Sequence, residues 1–174
     1  MLRLFVGIAL PPQIKLRLQP LCAGVPGARW VDPENHHVTL RFIGEVDEGM
    51  AGDIDAALQQ IKAQRFELAL AGIGQFGDRS LWVGVEKNPA LLHLRDKVES
   101  AVVRQGLPPE GRRFAPHVTL ARLKGVSEER LQAYLHEHAL FRAEPFTVGH
   151  FSLVASYLTK SGAIYEDQAD YALR

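Results

Sequence analysis

The sequence has a single cysteine, no net charge and no long apolar run. Among its 174 residues, 20 Lys and Arg balance 20 Asp and Glu, and Cys22 is the one cysteine. One cysteine excludes an internal disulfide framework and a cysteine-rich zinc cluster. The balanced charge excludes proteins that coat long nucleic acids by electrostatics alone, because these need a broad basic surface. It leaves room for a cleft that binds one or two phosphates.

No apolar stretch reaches the length of a membrane span, so we expect no membrane partner. The apolar first residues superficially resemble a signal peptide. Their run is short and Pro11-Pro12 end it, so we interpret this segment as a first β-strand. The composition, 47% hydrophobic and 23% charged, is that of an ordinary globular protein, which we expect in the cytoplasm.

Hydrophobic periodicity and turn residues predict alternating strands and helices along the chain. The predicted strands cover residues 3–10, 29–31, 36–43, 66–73, 81–86, 116–123, 145–157 and 163–172. The predicted helices cover 12–22, 48–64, 89–105 and 127–139. We predict loops at 74–80 and 106–115.

The second half of the chain repeats features of the first. The tetrad His-Val-Thr-Leu at 37–40 recurs at 117–120, an offset of 80, and Phe66 and Phe146 share that offset. Residues 4–8 resemble 81–85 at an offset of 77, which makes Phe5 and Trp82 equivalent. We interpret this as an internal repeat, approximately 3–73 and 81–157, that forms two pseudo-symmetric lobes of one domain, residues 1–174.

The repeated tetrad carries the chemistry of interest. Alternate side chains of a strand share a face, so His37 and Thr39 point one way, and His117 and Thr119 do the same in the second copy. A two-fold axis brings these polar faces together across a cleft. Two imidazoles near neutral pH supply a general base and a general acid, and hydroxyls bind phosphate oxygens. This combination suits phosphoryl chemistry by in-line displacement.

Two simpler interpretations of the tetrads compete with this one. In the first, the histidines are buried strand residues whose rings form hydrogen bonds with the backbone. For a single His-x-Thr this is the better interpretation. The identical repeat favours a functional pair. A zinc site is a poor alternative, because two histidines lack a third ligand at metal spacing and no Asp or Glu lies on the motif face. We therefore expect no metal and no cofactor.

At these residues the chain resembles the two-histidine phosphoesterases, and within them the RNA 2′,3′-cyclic phosphodiesterases, also called bacterial 2′-5′ RNA ligase-like proteins. The resemblance is carried by residues 3–11, by the two tetrads with their flanks at 37–45 and 114–122, and by residues 156–165. It extends over essentially the whole chain. The doubled tetrad with these flanks is its specific part.

The resemblance implies an α+β fold with two lobes, antiparallel sheets, flanking helices and an active-site groove between the lobes. It implies hydrolysis of RNA or nucleotide 2′,3′-cyclic phosphate ends to 2′-phosphomonoesters without a metal. One motif histidine is then the base and the other the acid, which carries onto His37 and His117, and the motif threonines, Thr39 and Thr119, bind phosphate. A 2′-phosphate product requires the 3′ oxygen to leave. We assign His117 as base and His37 as acid.

Three further residues are candidates for substrate binding. The resemblance suggests Arg122, although strict alternation puts it on the face opposite His117 unless the strand ends, twists or bulges there. Arg41 shares its predicted strand face with His37 and adds positive charge. Phe5 stacks on a base in one interpretation and belongs to the core in the other.

The expected partners are RNA ends or small nucleotides that carry a 2′,3′-cyclic phosphate. We expect a monomer without an obligate protein partner. Two alternatives to hydrolysis remain: an RNA-end-binding module with little turnover, and reversible 2′-5′ ligation of RNA. The sequence does not identify the natural RNA.

Overall fold

Two four-stranded antiparallel sheets form the two lobes of the computed structural model, which describes all residues from Met1 to Arg174. The strands are β1 Leu2–Ala9, β2 Arg29–Trp30, β3 His37–Val46, β4 Phe66–Leu68, β5 Leu70–Phe76, β6 Ser80–Val85, β7 His117–Arg122, β8 Phe146–Val148, β9 His150–Thr159 and β10 Gly162–Ala172. The helices are α1 Pro12–Leu18, α2 Glu48–Gln59, α3 Pro89–Arg104 and α4 Glu128–His138.

The strand order brings the two repeated tetrads side by side. The first-lobe sheet has the order β10-β9-β1-β3, and the second-lobe sheet has the order β2-β7-β6-β5. Strands β3 and β7, which begin with the motif histidines, contact each other where the lobes meet. Each sheet also takes two strands from the other half of the chain, β9 and β10 in the first lobe and β2 and β5 in the second.

A small third sheet of β4 and β8 marks the symmetry of the molecule. Its register pairs Phe66 with Val148, Glu67 with Thr147 and Leu68 with Phe146. Adding 80 to the first member of each pair and subtracting 80 from the second gives the same set of pairs. This is the pattern that a two-fold axis through the Glu67–Thr147 pair requires.

Helix starts follow local side-chain chemistry. Asp47 accepts a hydrogen bond from the Met50 amide at 2.7 Å and caps α2. Asn88 caps α3 in the same way through the Leu91 amide at 3.1 Å, and Pro89 occupies a tolerated first position. No helix has the length and apolarity needed to cross a membrane.

The apolar core lies on the side of the sheets away from the motif histidines. Val38 and Leu40 in β3, and Val118 and Leu120 in β7, are at most 3% exposed. They belong to one cluster of 30 buried residues drawn from both lobes. Cys22 is half-buried at the edge of this cluster, and burial raises the pKa of its thiol.

The expected α+β class with two lobes and antiparallel sheets is confirmed. The prediction of a loop at 74–80 is wrong for its first residues, because β5 continues to Phe76 before a tight turn into β6. Gly74 resembles a loop residue in the sequence, yet it lies in the strand opposite Trp82. A Cβ there would stand 2.4 Å from the Trp82 ring, so the strand needs glycine at this position.

Helix α2 ends earlier than the sequence predicts. It stops at Gln59 rather than near residue 64, and the chain then runs extended into β4. No glycine or proline marks this end. Pairing of β4 with β8 requires an extended chain by Phe66, and a distant contact therefore sets the helix length.

Candidate active site

The two motif strands present their polar side chains to a common cleft. His37, Thr39, His117 and Thr119 are each partly buried, while the residues between them are buried in the core. We call the side of each sheet that bears these histidines the cleft face. His37 and Thr39 form the first half-site, and His117 and Thr119 form the second.

In the first half-site, both ring nitrogens of His37 have a partner. Its Nδ1–H donates to the Asn35 carbonyl at 2.6 Å, since a carbonyl can only accept. The other nitrogen, Nε2, therefore has a lone pair in the neutral ring. It lies 2.8 Å from the Thr39 hydroxyl, which donates to it.

In the second half-site, His117 repeats the first of these contacts but not the second. Its Nδ1–H donates to the Ala115 carbonyl at 2.7 Å, two residues earlier in the chain, as in the first half-site. No protein group binds its Nε2. Both backbone contacts hold the rings in the same tautomer, with Nε2 toward the cleft.

Burial keeps both rings neutral in the free protein. Burial is the main reason that the pKa of His37 is lowered to about 4; the bond to Asn35 opposes this shift and the nearby His117 adds to it. Burial also lowers the pKa of His117, and the positive charge of Arg122 adds to this effect. The electrostatic influence of His117 on His37 indicates that the two half-sites lie near each other across the boundary between the lobes.

A β-bulge in β3 removes Arg41 from the site, and the expectation that it shares a face with His37 is wrong. Gly7 of β1 pairs with Thr39 and the next residue, Val6, pairs with Arg41, so one residue of β3 is extra. The bulge turns Arg41 toward the core side, where it is 8% exposed.

The guanidinium of Arg41 is held by α3 and the loop after it. Its Nε lies 3.1 Å from a carboxylate oxygen of Glu99, and it also donates to the carbonyls of Phe42 and Pro108. Arg95 holds the other oxygen of Glu99 at 3.3 Å. Arg41 is therefore part of a buried structural ion pair.

The same irregularity in β7 has the opposite consequence for Arg122. Trp82 of β6 pairs with Thr119, and Ser80, two residues away on the same face, pairs with Arg122. Leu120 is the extra residue, and the bulge returns Arg122 to the cleft face beside His117. The exposed guanidinium also acts electrostatically on Tyr165 of the other lobe, where it opposes the effect of burial, which raises the pKa of the phenol.

Phe5 lies under the first half-site. Its ring stacks on the ring of His37 with centroids 4.5 Å apart and an angle of 24° between their planes. Tyr165 of β10 meets both rings edge-on, at 5.0 Å from Phe5 and 5.3 Å from His37. Phe5 is only 5% exposed and its contact with His37 covers one face of each ring.

The predicted equivalence of Phe5 and Trp82 is wrong. The partner of Thr39 in β1 is Gly7, whereas the partner of Thr119 in β6 is Trp82, so these two positions correspond. Trp82 lies 6.1 Å from the ring of His117 in a tilted orientation. The offset of 77 aligned similar residue types, but the pairing of strands determines which residues of the two lobes are structurally equivalent.

Two aromatic residues of the site were not predicted as such. Phe76 meets His117 edge-on at 4.8 Å, although its segment is a predicted loop. Tyr165 is assigned to a strand by the sequence, but nothing in the local pattern reveals that it reaches His37. The only available signal was its position at the end of the final resemblance segment.

A cavity of about 410 Å³ opens beside His37 on the first-lobe side. Its floor includes Phe5, Gly7 and Val154, and its wall is the 3₁₀ turn Pro33–Asn35 together with β10. Asn35 closes one side through a 2.8 Å hydrogen bond to the Ala163 carbonyl. The volume falls within the range of ~300–1,000 Å³ for small-molecule sites.

No three His, Cys, Asp or Glu side chains come close enough together to hold a metal ion. The polar groups that the two motif strands present to the cleft are two imidazoles, two hydroxyls and the guanidinium of Arg122. This arrangement can move two protons at once and bind an anion between them.

Comparisons with known proteins identify the family of this chain. The family model of the 2′-5′ RNA ligase superfamily matches residues 5–159. An RNA 2′,3′-cyclic phosphodiesterase of Aeropyrum pernix is 40% identical over 149 residues, which cover 82% of this chain and 84% of the relative. One of Archaeoglobus fulgidus is 30% identical over 173 residues, covering 95% and 97%.

A solved structure is similar over nearly the full length. E. coli LigT complexed with 3′-AMP superposes with a TM-score of 0.83 at 28% identity, covering 99% of this chain and 98% of that one. The matched region includes both tetrads and the strands that carry them. The sequence-based family assignment is confirmed, and the chain belongs to the 2′-5′ RNA ligase superfamily.

Proposed function

We propose that the protein is an RNA 2′,3′-cyclic phosphodiesterase that opens the terminal ring to a 2′-phosphomonoester without a metal. The observation that carries the proposal is the pair of equivalent imidazoles, each held by a backbone carbonyl two residues earlier so that Nε2 faces the cleft. The names of the relatives support the same activity.

Substrate binding in this proposal uses groups from both lobes. On binding, the Thr39 hydroxyl turns its proton from His37 Nε2 to the phosphate, which frees the Nε2 lone pair. Thr39 and Thr119 then both donate to the non-bridging phosphate oxygens, and Arg122 adds a positive charge that attracts the anion. Phe5 acts beneath the site, since its stacking on His37 fixes the orientation of that ring. The ligand is an RNA end or a small nucleotide bearing the cyclic phosphate.

The reaction needs one base and one acid on opposite sides of phosphorus. The base takes a proton from water as the water oxygen forms a bond to phosphorus. The bond from phosphorus to the 3′ oxygen breaks, and the acid gives its proton to that oxygen. The products are a 3′ hydroxyl and a 2′ phosphate, and exchange of a proton with solvent restores both histidines.

The surroundings of the two rings favour the reverse of the roles assigned from the sequence. His37 has the more strongly buried ring and holds its neutral form down to a pKa of about 4, which suits the base. The Nε2 of His117 has no protein partner and faces the ligand, so a bound phosphate anion stabilises a proton there. We therefore assign His37 as base and His117 as acid.

The test is incubation of the purified protein with an oligonucleotide that ends in a 2′,3′-cyclic phosphate. We expect a 2′-phosphate product, activity that survives a chelator, and a bell-shaped dependence of kcat/KM on pH. Alanine at His37 or His117 is expected to lower kcat by about 10²–10⁴-fold, while circular dichroism shows a folded protein.

Three outcomes would redirect the proposal. Full activity in both alanine variants excludes two-histidine catalysis. Tight binding of the oligonucleotide without product, although both histidines are present, identifies an RNA-end-binding module. With a 5′-hydroxyl RNA added, a longer product with a 2′-5′ linkage identifies ligation by the reverse chemistry, which the superfamily name favours as a second candidate.

A further inference from the structure

The cleft face of β3 carries an exposed aromatic ring that the proposed chemistry does not use. Phe42 is 45% exposed, unusual for a residue at the centre of a ten-residue strand. It pairs with Phe5, so the bulge in β3 keeps it on the cleft face with His37. Its ring is therefore a free surface on the same floor as the reacting groups.

An arginine lies against this ring. The guanidinium carbon of Arg3 is 5.3 Å from the centre of the Phe42 ring, close enough for a cation–π contact. Arg3 precedes Phe5 by two residues on β1 and so shares its face. The exposed side chain of Arg3 forms no ion pair with any carboxylate of the protein.

Tyr165 connects this pair to the active site. It contacts Phe5 and His37, and both Arg3 and Arg122 lie near enough to counteract the rise of its pKa. Arg122 forms no ion pair either. Two guanidiniums without an ion pair, one from each lobe, thus lie near one phenol.

The repeat shows that the aromatic ring is not a requirement of the strand. The position equivalent to Phe42, 80 residues later, is Arg122 itself. The two lobes thus place an aromatic and a cation at the same point after the bulge. Exposed aromatic rings next to arginines are the surface on which single-stranded nucleic acids stack their bases.

We propose that Arg3 and Phe42 form a subsite for the nucleotide on the 5′ side of the cyclic phosphate. Its base stacks on the free face of Phe42, and the phosphodiester that joins it to the terminal nucleotide lies between Arg3 and Arg122. This inference rests on the proposed function, because the cyclic phosphate fixes where the chain of nucleotides begins. It makes RNA oligonucleotides better substrates than cyclic mononucleotides.

The experiment compares kcat/KM for an oligonucleotide with a 2′,3′-cyclic end and for a 2′,3′-cyclic mononucleotide. Phe42→Ala is expected to lower the ratio of kcat/KM for the oligonucleotide to kcat/KM for the mononucleotide by about 5- to 150-fold, because one base loses its stacking partner. Phe42→Trp retains the ratio. Arg3→Ala lowers the ratio and reduces the slope of log(kcat/KM) against log salt for the oligonucleotide by about 0.7, one phosphate contact.

Matched surface variants control for general effects. Leu140→Ala removes an exposed apolar side chain and Arg104→Ala an exposed arginine, both outside the cleft, and neither is expected to change the ratio. A fall in kcat/KM that is equal for both substrates overturns the subsite, as does an unchanged ratio in Phe42→Ala.

Binding separates the failure of this subsite from the failure of the proposed function. A fluorescent oligonucleotide that already ends in a 2′-phosphate needs no turnover, and its dissociation constant reports the subsite alone. Weaker binding to Phe42→Ala than to wild type supports the subsite even if wild type hydrolyses neither substrate. Equal binding overturns the subsite even if wild type is an active phosphodiesterase.

Discussion

The two half-sites have the same four-residue motif but different surroundings. His37 and His117 each donate Nδ1–H to a carbonyl two residues earlier, and a bulge follows each threonine. The first ring is stacked on Phe5 and bonded to its threonine through Nε2. The second leaves Nε2 without a protein partner.

This difference shows how a symmetric scaffold produces an asymmetric site. The symmetric features are backbone features: strand register, bulge and the carbonyl that sets the tautomer. The asymmetric features are side chains outside the tetrads, which change burial and charge around each ring. Acid–base catalysis needs one protonated and one neutral group, and unlike surroundings favour one assignment of these roles over the other.

The largest effect is expected when the histidine of either half-site is replaced. Each alanine variant loses about 10²–10⁴-fold in kcat on the ordinary substrate. On a cyclic phosphate with sulfur in place of the 3′ oxygen, the leaving thiolate needs no proton. His117→Ala is then expected to recover most of its rate, and His37→Ala is not.

The control for this prediction is wild type on both substrates, which corrects for the intrinsic reactivity of sulfur. Recovery in His37→Ala instead of His117→Ala restores the roles assigned from the sequence. The measurement is single-turnover product formation, which excludes product release from the comparison.

The next effect concerns the side chains after the bulges. Position 41 holds a buried arginine, and its equivalent 80 residues later is the buried Ala121. Arg41→Ala leaves Glu99 buried with only Arg95, and we expect a loss of about 3 kcal/mol in the free energy of unfolding in urea. The kcat of the folded fraction stays near wild type, because Arg41 lies outside the cleft.

An exposed pair provides the matched control. Arg17 and Glu144 are both about half exposed, and Arg17→Ala is expected to cost about 0–1 kcal/mol. A large fall in kcat for Arg41→Ala would return Arg41 to the substrate site.

A smaller effect, on the free energy of unfolding, is expected at the residues that pair with the two histidines on the neighbouring strands. Ala9 pairs with His37, and the corresponding partner of His117 is Gly84. A Cβ on Gly84 would lie 2.7 Å from the Ala71 carbonyl oxygen, so Gly84→Ala is expected to cost about 1–3 kcal/mol. Urea unfolding measures this cost. Ala9→Gly is the reverse change at the equivalent position, with a cost of about 0.5–1 kcal/mol.

The dependence of stability on pH sharpens the comparison further. The pKa of His37 is about 4 in the folded protein, below its ordinary value of 6.5, so the unfolded chain binds the extra proton first. Its contribution to stability is complete above pH 6.5 and is lost as the pH falls toward 4. Allowing for partial exposure, we expect about 1–2 kcal/mol, measured by urea unfolding at pH 7 and pH 4.5.

His37→Gln is expected to reduce this dependence more than His117→Gln does. The ring of His117 is less buried, so its protonation costs the folded protein less stability. Equal reductions in the two variants would mean that the two rings are equally desolvated.

Local pattern was sufficient for much of this protein. Alternation of Val38 and Leu40 with the polar motif residues identified the strand faces, and capping residues such as Asp47 and Asn88 marked helix starts. The duplicated tetrad identified the histidines and the two-lobed arrangement. These features depend on neighbours within a few residues, which the sequence contains directly.

Strand register and long-range contacts could not be predicted from the sequence. Strict alternation put Arg41 in the cleft and Arg122 outside it, and one bulge in each motif strand reversed both. A bulge is one unpaired residue, and whether it forms depends on the partner strand's side chains. Tyr165 and Phe76 reach the histidines for a similar reason, since tertiary packing brings their strands there.

The single cysteine, the balanced charge and the repeated tetrad therefore indicated the class of protein, the symmetry and the two candidate imidazoles. The tertiary structure decided which arginine lies on the cleft face, which ring is the more deeply buried, and where an exposed aromatic ring lies on that face. The physical reason is that composition and periodicity are properties of the chain itself. Burial, charge environment and strand register arise only when distant segments pack together.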